Sequence, residues 1–279
     1  MDLSGGQLGA IAGKSLRRRF EHGWDKAGLA PMVRAFVQAN SLVFAQVKTD
    51  GKGHELEGIE KLPTLLDLQG AVVTLDALGC QKDIARRIVA AGADYILQVK
   101  DNQPTLHAKL QTLFLEAQAE QLVGWRGATD ERVNGGHGRI ETRKVTVVWD
   151  VQHLGPIARE WAGLQSVVLV ERTRQLGVHT RQEQHYYIST LDRRRTARRY
   201  LEYIRGHGSV ENNCHGQMDV SFNEDQRRIR KDHGAENFRR LARIGLNPLK
   251  QEKTLKVGIA SKRLACAWDN QYLLKVVAG

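Results

Sequence analysis

The sequence predicts an α/β fold: a mixed sheet with flanking helices, interrupted by a β-rich insertion. Three observations lead there. Between residues 32 and 121, strand-like and helix-like runs alternate. From 141 to 190 only strand-like runs occur, and after Asp192 the pattern is helical. Alternation of this kind is what a sheet layered with helices requires.

The elements follow in order. Gly5 to Gly13 is glycine-rich and reads as a poorly patterned strand. Met32–Ala39 and Leu42–Lys48 are β-type runs joined by Asn40-Ser41, a tight hairpin signal because Asn tolerates turn dihedrals. His54–Leu68 has apolar residues near helical spacing. Ala71–Leu75 and Tyr95–Val99 are short apolar runs, as expected of strands buried on both faces. Between them, Gln81–Ala91 is an amphipathic helix stopped by Gly92. Gln103–Gln121 reads as a long helix with Pro104 in its first turn. Thr142–Trp149, Ser166–Arg172 and Gln182–Ser189 are the strands of the insertion. The helices after it are Arg193–Arg205, Val210–Val220, Ala235–Lys250 and Asn270–Val277. The chain therefore divides into 1–125, a first part of the core; 126–191, the insertion; and 192–279, helices that complete the core.

The charge is uneven. Lys and Arg number 42 against 31 acidic residues, a formal net charge of +11. Arg193, Arg194, Arg195, Arg198 and Arg199 crowd one helix start. Between Glu224 and Arg263 there are twelve Lys/Arg against five Asp/Glu, with Arg227, Arg228 and Arg230 in the first run. A solvated helix face explains any single run, but the total excess points to a polyanion, and nucleic acid is the usual one. No apolar run is long enough to span a membrane, and the N-terminus carries no export signal, so the expected setting is the cytoplasm. Cys80, Cys214 and Cys266 lie too far apart for a zinc site or a disulfide framework, which agrees with a reducing compartment.

Two carboxylates stand out. Asp76 ends a buried strand, where side chains face the crevice in which such sheets bind ligands; it is also well placed to cap the next turn. Glu211, in Gly206-His-Gly-Ser-Val-Glu-Asn-Asn, either starts a helix or serves a site. Together, a strand Asp and a helix Glu can share divalent cations that activate a water or a 3′-hydroxyl against a phosphodiester. That chemistry normally asks for a third carboxylate on a neighbouring strand.

The motifs Thr74-Leu-Asp-Ala-Leu-Gly-Cys-Gln-Lys82, Gln98-Val-Lys-Asp-Asn-Gln-Pro104, Gly136-His-Gly-Arg-Ile-Glu-Thr-Arg143, Arg205-Gly-His-Gly-Ser-Val-Glu-Asn212 and Asp219-Val-Ser-Phe-Asn-Glu-Asp225 occur in that order. In this the chain resembles the ISAs-type, or H-repeat-associated, insertion-sequence transposases of the DDE superfamily, from about Ile11 to the C-terminus. The resemblance implies an RNase H-like (retroviral-integrase-like) core with a β-rich insertion before the helix of the final Glu. It implies a Mg2+ (or Mn2+) cofactor, DNA as partner in the form of terminal repeats and target, and a homodimer on that DNA. Asp76 matches the family's second Asp and Glu211 its Glu, both as metal ligands. Lys14, Lys100, Asn102, Arg205, His207 and Asn212 fall near the scissile strand by the same matching. In the related signature around the Glu, Tyr and Arg positions fall on Ile204 and His207. His137-Gly138-Arg139 matches a family motif that reads equally as a turn entering the insertion's first strand or as a DNA contact.

This copy also departs from the pattern. The family's first Asp sits in a stretch like Ile-Asp-Gly-Lys, and here the stretch is Ile11-Ala12-Gly13-Lys14. A methyl group cannot ligate a cation, so strand cleavage is expected to be impaired. Gly208 and Gly216 stand where relatives usually carry Trp, and Pro248 lies inside a helical run, where it removes a backbone donor. Relatives also usually have a helical region before the first Asp, which suggests that this chain is N-terminally truncated. The expected function is thus that of a DDE transposase, impaired in this copy by Ala12 at the first ligand position; a non-catalytic DNA-binding remnant is the alternative, and an unrelated metal-dependent nuclease would leave the run of motifs unexplained.

Overall fold

The computed structural model describes residues 67–136, 139–210, 216–223 and 234–278, the backbone of strands at 8–14, 32–37 and 42–48, and isolated positions 57, 59, 226 and 229. The chain forms two compact units: Met1–Gly9 with Leu66–His207, and Ala10–Leu65 with Gly208–Gly279.

The first unit holds a mixed six-stranded sheet. Its elements are β4 (Val72–Leu75), α1 (Lys82–Ala90), β5 (Asp94–Val99), α2 (Pro104–Ala119), β6 (Gly127–Gly136), β7 (Arg139–Val148), β8 (Ser166–Leu176), β9 (His179–Ser189) and α3 (Ala197–Val210). The strand order is β4-β5-β9-β8-β7-β6. β4 and β5 are parallel, so a crossover must join them, and α1 supplies it. α1 stops at Gly92, whose φ of 71° suits a residue without a Cβ. Pro104 opens α2, where its missing N–H costs no helix bond. All four residues of β4 are buried, which explains its unbroken apolar run.

β6 to β9 run on from β5 by antiparallel pairing of β5 with β9. Side chains alternate between two faces. One face buries Val145, Val147, Val168 and Val170 under Ala197, Tyr200 and Leu201 of α3. On the other, the Tyr186 ring meets Phe114 and His107 of α2, at centroid distances of 6.1 and 5.2 Å. The sequence reading found three of these strands but not β6. That strand is an edge with no buried residue, so it lacks the apolar alternation by which strands are recognised. The His137-Gly138-Arg139 motif accordingly precedes the second strand of the hairpin, with Arg139 paired to Gly136; His137 and Gly138 lie outside the described residues.

The second unit includes β2 (Met32–Val37) and β3 (Leu42–Lys48), an antiparallel hairpin as expected, with a register irregularity between Ala35 and Phe36. Of the helix expected over His54–Leu68, Glu57 and Ile59 are helical and most of the rest lies outside the described residues. The helices are α4 (Gln217–Phe222), α5 (Gly234–Gln251), α6 (Ile259–Trp268) and α7 (Asn270–Ala278). Met218, Phe222, Ala242, Leu246, Leu249 and Val276 form their shared core. α5 continues through Pro248, which sits in its last turns, so the proline removes a donor without ending the helix. α6 was not expected from the sequence.

A buried polar cluster ties α5 to α6 and α7. Lys262 Nζ lies 3.1 Å from Glu252 Oε2 and also donates to the backbone carbonyls of Leu249 and Glu252. Tyr272 donates to Glu252 at 2.9 Å, and the Thr254 hydroxyl donates to its other oxygen. The Thr254 hydroxyl, Lys262 and Tyr272 hold the Glu252 carboxyl well below its usual range. A depressed carboxylate stabilises the fold above its unfolded value of about 4.5 and loses that contribution as pH falls through the folded value. Glu252→Gln is therefore expected to lower the thermal midpoint at pH 7 by several degrees and to flatten its decline in acid. Thermal scans across a pH series check this; an unchanged acid slope would refute it.

Candidate active site

β4 and β5 point the same way, so their carboxyl ends form one edge, and the residues that follow them share it. Asp76 leaves the edge first. It is exposed, and its Oδ1 accepts a long hydrogen bond of 3.4 Å from Gly79 N, capping the 3-10 turn Ala77–Gly79. The cap and the site carboxylate are thus compatible roles of one residue: one oxygen is weakly engaged while the side chain faces solvent.

Lys100-Asp-Asn-Gln leaves the same edge from β5. Lys100 is exposed. Asn102 Nδ2 donates to Ala77 O at 2.6 Å, which pins the turn after Asp76. Gln103, which the sequence reading passed over, donates to Cys80 O at 3.0 Å and fixes the other end of that turn. Burial pushes the Cys80 thiol up to about 12, so it is a neutral packing group at physiological pH.

Behind the edge, α3 lies on the sheet. His207 Nδ1 is 3.1 Å from Thr74 Oγ1, two residues before Asp76 on β4. Thr74, Ile96, Gln98, Tyr187, Ile204 and His207 line a pocket of about 30 Å³, room for a water or two but not for a nucleotide. Half-buried His207 therefore joins helix to sheet, a partner that only the fold reveals. Arg205, one step before buried Gly206, is exposed. Gly208 is exposed with nothing within 4 Å of an added Cβ, so a larger residue has space there.

Ala12 and Lys14 lie on strand β1 (Leu8–Lys14), of which only the backbone is described. Glu211, Asn212, Arg227, Arg228 and Arg230 lie outside the described residues. Among the described residues no three His, Cys, Asp or Glu side chains converge as a metal site. The edge does offer the exposed carboxylates of Asp76 and Asp101, the hard oxygen donors that a divalent cation prefers. Among the described residues no helix is long and apolar enough to cross a membrane.

The family model described as "Transposase DDE domain" matches residues 10–247. The "H repeat-associated putative transposase YhhI" of Escherichia coli K12 is 36% identical over 97% of this chain and 71% of its own length. The "Putative transposase YncI" of Escherichia coli O157:H7 is 35% identical over 99% of this chain and 70% of its own.

Proposed function

We propose, because this chain belongs to the transposase DDE domain family, that its carboxyl-edge site is built to hydrolyse and transesterify DNA phosphodiesters. The observation that carries the reading is the exposed Asp76 carboxylate on the edge shared with Lys100 and Asn102. A divalent cation is implied by the family, and Mg2+ is the ion proposed. Asp76 and Glu211 would hold it, and when bound it would supply the charge that activates the attacking oxygen. In hydrolysis, the oxygen of water bonds to phosphorus, the bond to the 3′-oxygen breaks, and that oxygen leaves as a hydroxyl. In transfer, the freed 3′-hydroxyl attacks a target phosphorus and displaces the target's own 3′-oxygen. Lys100 would meet phosphate at the edge, and Asn102 would keep the Asp76 turn in place.

One sequence feature favours a second reading, a DNA-binding remnant: Ala12 gives the site no first carboxylate. Both readings place DNA on the protein, with the terminal repeats of an element as substrate only in the first. Binding of a labelled duplex should weaken by at least about a hundredfold between about 50 and 200 mM salt, since each phosphate contact releases counterions. Absence of salt-sensitive binding would refute both. Metal-dependent nicking that Asp76→Asn abolishes would support the enzyme reading; binding without any nicking, even after Ala12→Asp, would favour the remnant.

A further inference from the structure

β5 ends at Val99, opposite Tyr186 of β9. β9 does not end there: it continues outward from Tyr186 to His179, and β6, β7 and β8 extend beside it. The four-stranded part of the sheet thus overhangs the edge that carries Asp76 and Lys100. Seven residues of β9 beyond that pair correspond to about 24 Å of extended strand.

The overhang is chemically two-sided. On the face that carries α3 further in, register sets Arg132, Arg143, Arg172 and Glu183 in one row across the four strands. The next row outward is Asn134, Glu141, Arg174 and Arg181. These rows hold five arginines against two glutamates. The corresponding rows of the opposite face are Glu131, Lys144, Glu171, Gln184 and Val133, Thr142, Thr173, Gln182, with one cation against two anions.

The basic face is built around a buried anion. Glu141 is 6% exposed and pairs with Arg143 at 2.7 Å, with Arg174 at 3.0 Å and with Arg172. Glu183 pairs with Arg181 at 2.9 Å and with Arg172 at 3.7 Å. One carboxylate cannot neutralise three guanidinium groups, but it holds their planes in fixed positions. Burial, with the charges of Arg205 and Arg174, holds the Arg143 guanidinium below its ordinary basicity. An external anion would relieve that like-charge crowding.

We propose that the arginine-bearing face of this overhang is a cradle for the phosphodiester backbone of DNA, extending the contact surface away from the Asp76 edge. The inference rests on the DNA-handling reading above. Arg132 and Arg181 would contact phosphates directly, while Glu141 sets the arrangement of the inner three arginines.

The test uses the whole chain and a fluorescein-labelled duplex of mixed sequence, with anisotropy measured across a salt series. Arg132→Gln combined with Arg181→Gln leaves the three partners of Glu141 intact. Loss of two phosphate contacts should lower the slope of log affinity against log salt by about 1.8 and weaken binding at least about tenfold near physiological salt. The charge-keeping pair Arg132→Lys with Arg181→Lys, and Lys144→Gln on the opposite face, should bind as the unsubstituted chain does. Equal slope and affinity in the Gln pair overturns the cradle while leaving DNA binding in place. So does an equal loss in the Lys pair or in Lys144→Gln. Failure of the unsubstituted chain to bind in a salt-sensitive way overturns the DNA reading and the cradle together.

Discussion

Ala12→Asp should raise metal-dependent nicking of DNA carrying the element's terminal repeats by roughly a thousandfold. The estimate follows from the worth of one shared ligand in a two-cation site, about 4 kcal/mol of transition-state charge stabilisation at 1.36 kcal/mol per tenfold in rate. A carboxylate contributes both an oxygen donor and a negative charge, whereas the Ala12 methyl contributes neither. Adding Asp76→Asn to the Ala12→Asp protein should cancel the gain, because the two groups serve one site and their effects do not add. If the chain as it stands cuts as fast as Ala12→Asp, the third ligand is another residue and Ala12 is not the position of the family's first Asp. End-labelled substrate resolved on denaturing gels, with manganese and magnesium in parallel, reads out each case.

Tyr200→Ala should destabilise the first unit by about 4 kcal/mol, the usual cost of emptying a large aromatic site, and lower its thermal midpoint by roughly 10 °C. Tyr200 is fully buried on α3 within the core of valines from β7 and β8. Its hydroxyl donates to Leu191 O at 2.6 Å, lies 3.0 Å from Ser166 Oγ and accepts from Trp149 Nε1 at 3.3 Å. Tyr200→Phe keeps the ring but deprives the Trp149 donor of its hydroxyl acceptor and leaves the Leu191 carbonyl with the Ser166 hydroxyl alone, which should cost about 1–3 kcal/mol. The difference between the two variants, followed by denaturant unfolding, separates packing from hydrogen bonding. Equal midpoints for Tyr200→Phe and the unsubstituted chain would show that the hydroxyl network contributes nothing net.

Much of the fold was legible because burial writes itself into pattern. Val72–Leu75 and Tyr95–Val99 are apolar on both faces, so their runs announce interior strands. Gly92 and Pro104 mark helix boundaries through backbone conformation alone. β6 was not legible, since Gly127–Gly136 buries nothing and an edge strand needs no apolar face. At the site, the place of Asp76 on a strand end could be read from sequence, because chain direction fixes the carboxyl edge. The contact of His207 with Thr74 could not: it joins residues 133 apart, and neither side chain signals its partner. The arginine rows left a trace in the alternation of Arg172 with Arg174 and of Glu141 with Arg143. That spacing was visible, but only strand register sets the two pairs on a common face.

The continuity of β9 with β5 bears on how such a chain can change over time. Residues 126–191 look, in one dimension, like an appendage that a genome could trim. In three dimensions they furnish the bed on which α3 rests, since Val145, Val147, Val168 and Val170 meet Ala197, Tyr200 and Leu201 there. α3 leads directly in sequence to Glu211. Deletions inside this stretch would strip the support from the helix while leaving both proposed site carboxylates, Asp76 and Glu211, in the chain. Lineages descending from this chain should therefore keep the inner halves of the two long ribbons under constraint from the helix above.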